Sequence, residues 1–275
     1  MNDVAVLYIT HDRPLRTRLT LSHLLESSGI DDMSVTIVAN NASQATIEAL
    51  CSFDHPSIER VAIFKDNNYP LAEITNWFWS NHLAWKYLGK VDDDTIMPAG
   101  FFFNARKVLA TYPWMGAVSA IHWEANRLPA EGDYRHNILH ALGILWQKNV
   151  GGCCYLMPTD RVIEIGFIHS PGYFKGGWSE YQWALNARGH LCGYLYPLQF
   201  AKHLQNENIY HRILSAVGPF SYDRDKEAEE IKFMLFEAKT MLTEQHLYQV
   251  CQVNDIGVQG LLYPNMGWEC QISEL

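Results

Sequence analysis

Much is missing from this 275-residue chain, and each absence removes a class of protein. No run of about 18 apolar residues occurs, so no transmembrane helix is expected. The opening Met1-Asn2-Asp3 has no basic segment ahead of an apolar one, so no secretory leader is expected and a cytoplasmic setting follows. The six cysteines form no CxxC pair, which argues against a zinc site and fits a reducing compartment. Cys153 and Cys154, adjacent in an apolar run, read as small buried hydrophobes. Neither GxGxxG nor GxxxxGK[ST] is present, so dinucleotide-binding and P-loop classes lose their main signal. Positive charge is short too: a net charge of −9 argues against a wide basic face for nucleic acid, though not against a local groove. Internal repeats and low-complexity tracts are absent.

What is present is a large apolar fraction, 48%, enough for a sizeable core. Its pattern alternates between strands and helices. Val4 to Ile9 is a buried-strand run, broken by Thr10-His11-Asp12-Arg13, and Pro14 opens a helix that Gly29 closes. Val35 to Val38 is a second strand, followed by Asn40-Asn41-Ala42-Ser43 and a helix over Gln44 to Cys51. Ile58 to Phe64 is a third, with a turn at Asn67 to Pro70 and an aromatic helix around Ile74 to Tyr87. A fourth strand ends in Asp92-Asp93-Asp94. Such alternation predicts a parallel sheet with helices on both faces. Ligands in open α/β sheets bind beyond the carboxyl ends of the strands, and the polar clusters at Thr10, Asn40, Asn68 and Asp92 all fall there.

The acidic triplet is the most informative stretch. Consecutive carboxylates repel each other, and a divalent cation relieves that cost because hard cations prefer carboxylate oxygens. Asp92 and Asp94 are two residues apart at the end of an extended segment, so both project to one side. The plain alternative is a solvated acidic turn. Thr10, Asn40 and Ser43 likewise have a plain alternative as caps of the helices that follow them.

The second half is less regular. Gly100 to Phe103 begins a helix, Met115 to Ile121 is a strand, and the segment from His122 to Gln147 carries little pattern. A strand at Val150 to Met157 and a short helix from Pro158 to Gly166 follow. Gly176-Gly177-Trp178-Ser179-Glu180 then opens a helix that Gly189 closes, with Ser179 as N-cap and Glu180 in the first turn. Cys192 to Pro197 is read as the last strand, with Ala201-Lys202-His203 beyond it. Residues 206–275 read as a C-terminal appendage: a polar flap over Gln205 to Tyr210, a helix over Asp223 to Tyr248, and a tail from Cys251.

Taken together, Ile9 to Pro14, Val38 to Ser43, Asn68, Val91 to Asp94 and the glycine-rich Glu180 loop resemble GT-A glycosyltransferases, family 2 in particular, over roughly residues 4 to 203. The resemblance implies a GT-A α/β domain over residues 1–205, with a nucleotide-sugar half at 1–98 and an acceptor half at 99–205. It implies that Thr10, Asp12, Arg13, Asn40, Ser43, Asn68 and Asp93 meet the nucleotide-sugar. It places Mn²⁺ or Mg²⁺ on Asp92 and Asp94, with His203, or else His211, as a third ligand. The family usually has Asp where Asn40 stands, and Glu-Asp where this chain has Ser179-Glu180. The implied reaction is transfer of a sugar, from a UDP-sugar by preference, to a hydroxyl of a glycan, lipid-linked or other acceptor. Glu180 then serves as catalytic base in an inverting displacement; its plain alternative is a charge that complements the helix dipole. The rivals are a nucleotidyltransferase, a non-catalytic nucleotide-sugar-binding module, and a transferase acting on a modified base in DNA, for which Arg127, Arg135, Lys148 and Lys175 would have to form a local basic cleft.

Overall fold

The strands that the pattern places first in the chain form one parallel block of the sheet. The computed structural model of the protein describes residues 3–27, 29–65, 68–122, 138–147, 149–169, 177–196 and 200–203. The expected appendage at 206–275, with its flap, helix, tail and His211, lies outside the described residues, as do Asn67, most of the 122–147 segment and the four basic residues of the supposed cleft.

The nucleotide half runs β1 (Val4–Thr10), α1 (Pro14–Leu25), β2 (Met33–Asn40), α2 (Gln44–Cys51), β3 (Ile58–Phe64), α3 (Leu71–Asn81) and β4 (Tyr87–Asp92). After it come β5 (Thr95–Ile96), α4 (Phe101–Thr111), β6 (Ala117–Ser119), β7 (Ile121–His122), β8 (Ile138–Leu139), β9 (Ile144–Trp146), β10 (Cys154–Pro158), α5 (Asp160–Ile165), α6 (Trp178–Ala187), β11 (Cys192–Leu195) and β12 (Phe200–His203). Among the described residues, nine strands make one sheet in the order β3-β2-β1-β4-β10-β6-β11-β9-β8. The β3-β2-β1-β4 block is parallel throughout, and β10 runs antiparallel to both β4 and β6. A second small sheet has the order β5-β12-β7.

Alternation along β1 divides the core in two. Val4, Val6 and Tyr8 pack on one face with Leu21 and Leu24 of α1 and Phe101 and Phe102 of α4. Ala5, Leu7 and Ile9 pack on the other with Phe78 and Trp79 of α3 and Leu185 of α6. Both faces are covered, which is why β1 is apolar almost without a break and every residue of β1 and β2 is buried. β3, at the edge, carries Glu59 and Arg60 and is largely exposed.

Several boundaries differ from those expected, each for a local reason. α1 ends at Leu25, and Gly29, at φ +84, opens a single 3-10 turn at Ile30–Asp32 instead of closing α1. The aromatic helix stops at Asn81 because Tyr87 and Leu88 pair with Val4 and Ala5 as strand β4. The strand expected from Val150 starts at Cys154, since the backbone of Val150 is held on both sides by the Gln182 side chain. Phe200–His203, expected beyond the last strand, is itself a strand and pairs with β5. Cys153, Cys154 and Cys192 are buried, and no disulfide links the four cysteines described. Among the described residues no helix is long and apolar enough to cross a membrane.

Candidate active site

The chain leaves the central strand β1 for β2 and β3 on one side, then returns to β4 on the other. The crevice between the ends of β1 and β4 is therefore the topological switch point, where such sheets bind ligands. Thr10 ends β1 and the acidic triplet ends β4. The two are tied directly: the Thr10 hydroxyl donates to Asp93 Oδ2 at 2.9 Å, and the His11 N–H reaches the same oxygen at 3.3 Å. Thr17 of α1 meets the Thr10 hydroxyl at 2.6 Å, and Thr20 donates to the Asp93 carbonyl at 2.9 Å. The hydroxyl of Thr10 is thus spent on the triplet, and it caps no helix. Arg13 stands at the N-cap position of α1.

Two cations meet the three carboxylates. Arg13 Nη1 lies 3.5 Å from Asp93 Oδ1 and 3.3 Å from Asp94 Oδ2. Lys90, almost wholly buried in β4, pairs with Asp92 and donates to the Gly152 carbonyl at 3.0 Å. Lys90 escaped the sequence analysis, although a lysine two residues before Asp92 shares its face of the strand. The middle residue, Asp93, has both oxygens engaged inside the protein and holds the turn in place. Asp92 and Asp94 flank it.

Burial raises the Asp92 carboxyl from 3.8 to about 6; Lys90 opposes the shift, while Asp94 and Asp93 add to it. A carboxyl that keeps its proton longer when folded means that the folded state binds more protons between 3.8 and about 6, so stability falls as pH rises through that window. Urea midpoints without metal should show this fall in the wild type and lose that component in Asp92→Asn.

The donor chemistry here fits a hard divalent cation: Asp92 and Asp94 offer carboxylate oxygens whose mutual repulsion such an ion relieves. No cluster of three His, Cys, Asp or Glu side chains arranged for a metal occurs among the described residues. One or two carboxylates completed by phosphate oxygens and water are a usual set for Mg²⁺. The β12–β5 register places His203 opposite Thr95, next in sequence to Asp94; the His203 side chain lies outside the described residues.

The β2 end forms the other wall. Asp12 Oδ1 accepts from the Ser43 N–H and the Thr46 hydroxyl, both at 3.3 Å. Ser43 is the N-cap of α2, accepting from the Thr46 N–H at 3.4 Å. Asn40 caps nothing. Its amide clamps the loop after β3: Nδ2 donates to Asn68 Oδ1 at 2.8 Å and to the Tyr69 carbonyl at 3.0 Å, while Oδ1 accepts from the Tyr69 N–H at 3.0 Å. His11, another residue missed from sequence, places Nδ1 on the Asn40 carbonyl.

A chain of contacts brings α6 to the same edge. Lys90 touches Gly152, where a Cβ would come within 2.9 Å of Trp178 Cδ1, so the glycine leaves room for the ring. Trp178 stacks on Tyr155 at 3.9 Å, and Tyr155 is the β10 partner of Lys90. Glu180 lies one turn into this helix, half-buried, and its carboxylate makes no hydrogen bond or ion pair among the described residues. The helix starts at Gly177 and not at a Ser179 cap: Gly177 has φ +66, and a Cβ there would come within 2.3 Å of Ile168 Cγ2. Gly177→Ala should cost about 1–3 kcal/mol in urea unfolding and lower turnover more than donor affinity, because it shifts the turn bearing Glu180.

No family model matches the chain, and no curated protein matches its sequence. Solved structures do match. The mannosyltransferase PcManGT from Pyrobaculum calidifontis, in complex with GDP-Man and Mn²⁺, aligns with a TM-score of 0.60 and 14% identity over 98% of this chain and 83% of that one. S. aureus TarS, residues 1–349, aligns with a TM-score of 0.56 and 9% identity over 92% of this chain and 81% of that one. The chain therefore has the GT-A fold: a mixed, largely parallel sheet with helices on both faces.

Proposed function

We propose that the protein is a metal-dependent glycosyltransferase that moves a sugar from a nucleoside-diphosphate donor to an acceptor hydroxyl, with inversion. The observation that carries this is the Thr10–Asp93 bond across the switch point of a GT-A sheet, which fixes a triplet whose outer carboxylates flank the crevice. Asp92 and Asp94 would hold Mn²⁺ or Mg²⁺, with His203 a candidate third ligand on the strength of its register. Bound there, such an ion would supply positive charge against the departing diphosphate. PcManGT carries GDP-Man and Mn²⁺ together, which supports that pairing here.

The chain's own residues supply the rest. Thr10, Asp12, Asn40, Ser43 and Asn68 shape the nucleotide wall, and Asp93 positions the acids on either side of it. Arg13 and Lys90 offset the triplet's repulsion, so that a divalent ion leaves the site able to take a diphosphate. Glu180, whose carboxylate has no partner among the described residues, takes the acceptor's proton as the oxygen attacks the anomeric carbon. The acceptor is a glycan, a lipid-linked group or another hydroxyl compound, and UDP-sugars are the first donors to try.

The test is incubation with each sugar nucleotide, Mn²⁺ and pooled acceptors, with the released nucleotide identified by mass spectrometry. Nucleoside diphosphate released only with metal and acceptor supports the proposal. Formation of a new nucleotide-sugar with pyrophosphate release would make the protein a nucleotidyltransferase instead.

A further inference from the structure

Resting on that function, the base preference of the site follows from the hydrogen bonds of Asn40. A backbone N–H only donates, so the atom that meets the Tyr69 N–H is the oxygen of Asn40. The Asn40 amino group then faces the Tyr69 carbonyl and the Asn68 side chain. An amino group only donates, so the atom of Asn68 that meets it is the oxygen. The Asn68 amino group therefore faces away; Asn68 is exposed, and this group has no partner among the described residues. The backbone of the same residue settles His11. A carbonyl only accepts, so His11 Nδ1 carries the proton that meets the Asn40 carbonyl. In the neutral ring Nε2 is then an acceptor. One buried asparagine thus fixes a donor at Asn68 and an acceptor at His11.

We propose that His11 and Asn68 read a lactam edge, the N–H beside a C=O that uracil, thymine and guanine share and that cytosine and adenine lack. The base N–H donates to His11 Nε2, and the base carbonyl accepts from Asn68 Nδ2. Asn40 is the positioning residue: it touches neither base atom and sets the polarity of both readers. Asn40→Asp inverts one of them. The second carboxylate oxygen only accepts, so Asn68 must turn its amino group inward and its oxygen out. Asn68→Asp has the same outward effect with less risk to the fold, because it keeps the acceptor that Asn40 Nδ2 needs and replaces an exposed amino group by oxygen.

The experiment is calorimetric titration of UDP, GDP, CDP and ADP with Mn²⁺, on the alkaline side of neutrality, for the wild type and both variants. Wild type should bind UDP and GDP about 10-fold or more tighter than CDP and ADP, the scale of one matched base contact. Asn68→Asp should lose that ratio, and Asn40→Asp should move the same way if it folds. A purely structural Asn40 would lower all four affinities together. Equal wild-type affinities, tighter binding of CDP, or an unchanged ratio in Asn68→Asp would each overturn the assignment while leaving the transferase function standing. No binding of any of the four would withdraw both.

Discussion

Asp94→Ala should abolish metal-dependent binding of the donor. Asp94 is buried at the triplet, where it faces Arg13 at 3.3 Å and raises the proton affinity of Asp92. Removing it deletes one of two carboxylates proposed for the ion. Partners one shell further out are commonly worth about 10–100-fold in metal affinity, so the Kd of the sugar nucleotide in Mn²⁺ should rise by at least about 100-fold. Fold loss does not complicate the result. The Thr10–Asp93 bond remains, Arg13 keeps Asp93, and Asp92 is relieved of a like charge. Calorimetry with Mn²⁺ and with EDTA separates the two contributions: the wild type should bind far better with metal, and the variant equally weakly in both.

Glu180→Gln should stop transfer and leave the donor Kd unchanged. The glutamine keeps the size of the side chain and its place in the first turn of α6, but it cannot accept a proton. General-base catalysis is typically worth about 10²–10⁴-fold, and turnover should fall by that much with donor affinity within a factor of about two. Loss of the charge also costs α6 its favourable dipole contact, about 0.3–1 kcal/mol, so a small drop in melting temperature is expected. Wild-type turnover in Glu180→Gln would return Glu180 to the role of a dipole partner.

What could be seen in the sequence was what periodicity and punctuation control. β3 and α2 have the expected bounds because Ile58 to Phe64 and Gln44 to Cys51 are short, patterned runs between clear breakers. The aromatic helix was overextended because Tyr87 suits a helix or a strand equally, and pairing with Val4 decides it. The site was visible as residue types at strand ends, yet their division of labour was not. Asp93 looks like its neighbours in a triplet, and only the long-range bond from Thr10 shows that it is the tie. Lys90 and His11 carry no signal in the one-dimensional pattern: a lysine inside an apolar strand and a histidine in a loop gain meaning only from their contacts with Asp92 and with Asn40, the latter 29 residues away in sequence. Asn40 was read as a nucleotide contact or a cap, and its clamp on Asn68 and Tyr69 depends on a loop that arrives from beyond β3.

The most direct test is a thermal-shift panel of UDP-, GDP-, dTDP- and CMP-sugars, each with and without Mn²⁺. A ligand of the native state raises its stability by RT ln(1 + [L]/Kd). A manganese-dependent rise with UDP-, GDP- or dTDP-sugars that exceeds any rise with CMP-sugars is the predicted result, and the largest rise names the donor to assay. No rise with any donor, in metal or in EDTA, would contradict a donor site at the β1–β4 crevice and leave Asp92-Asp93-Asp94 as a structural turn in a GT-A scaffold.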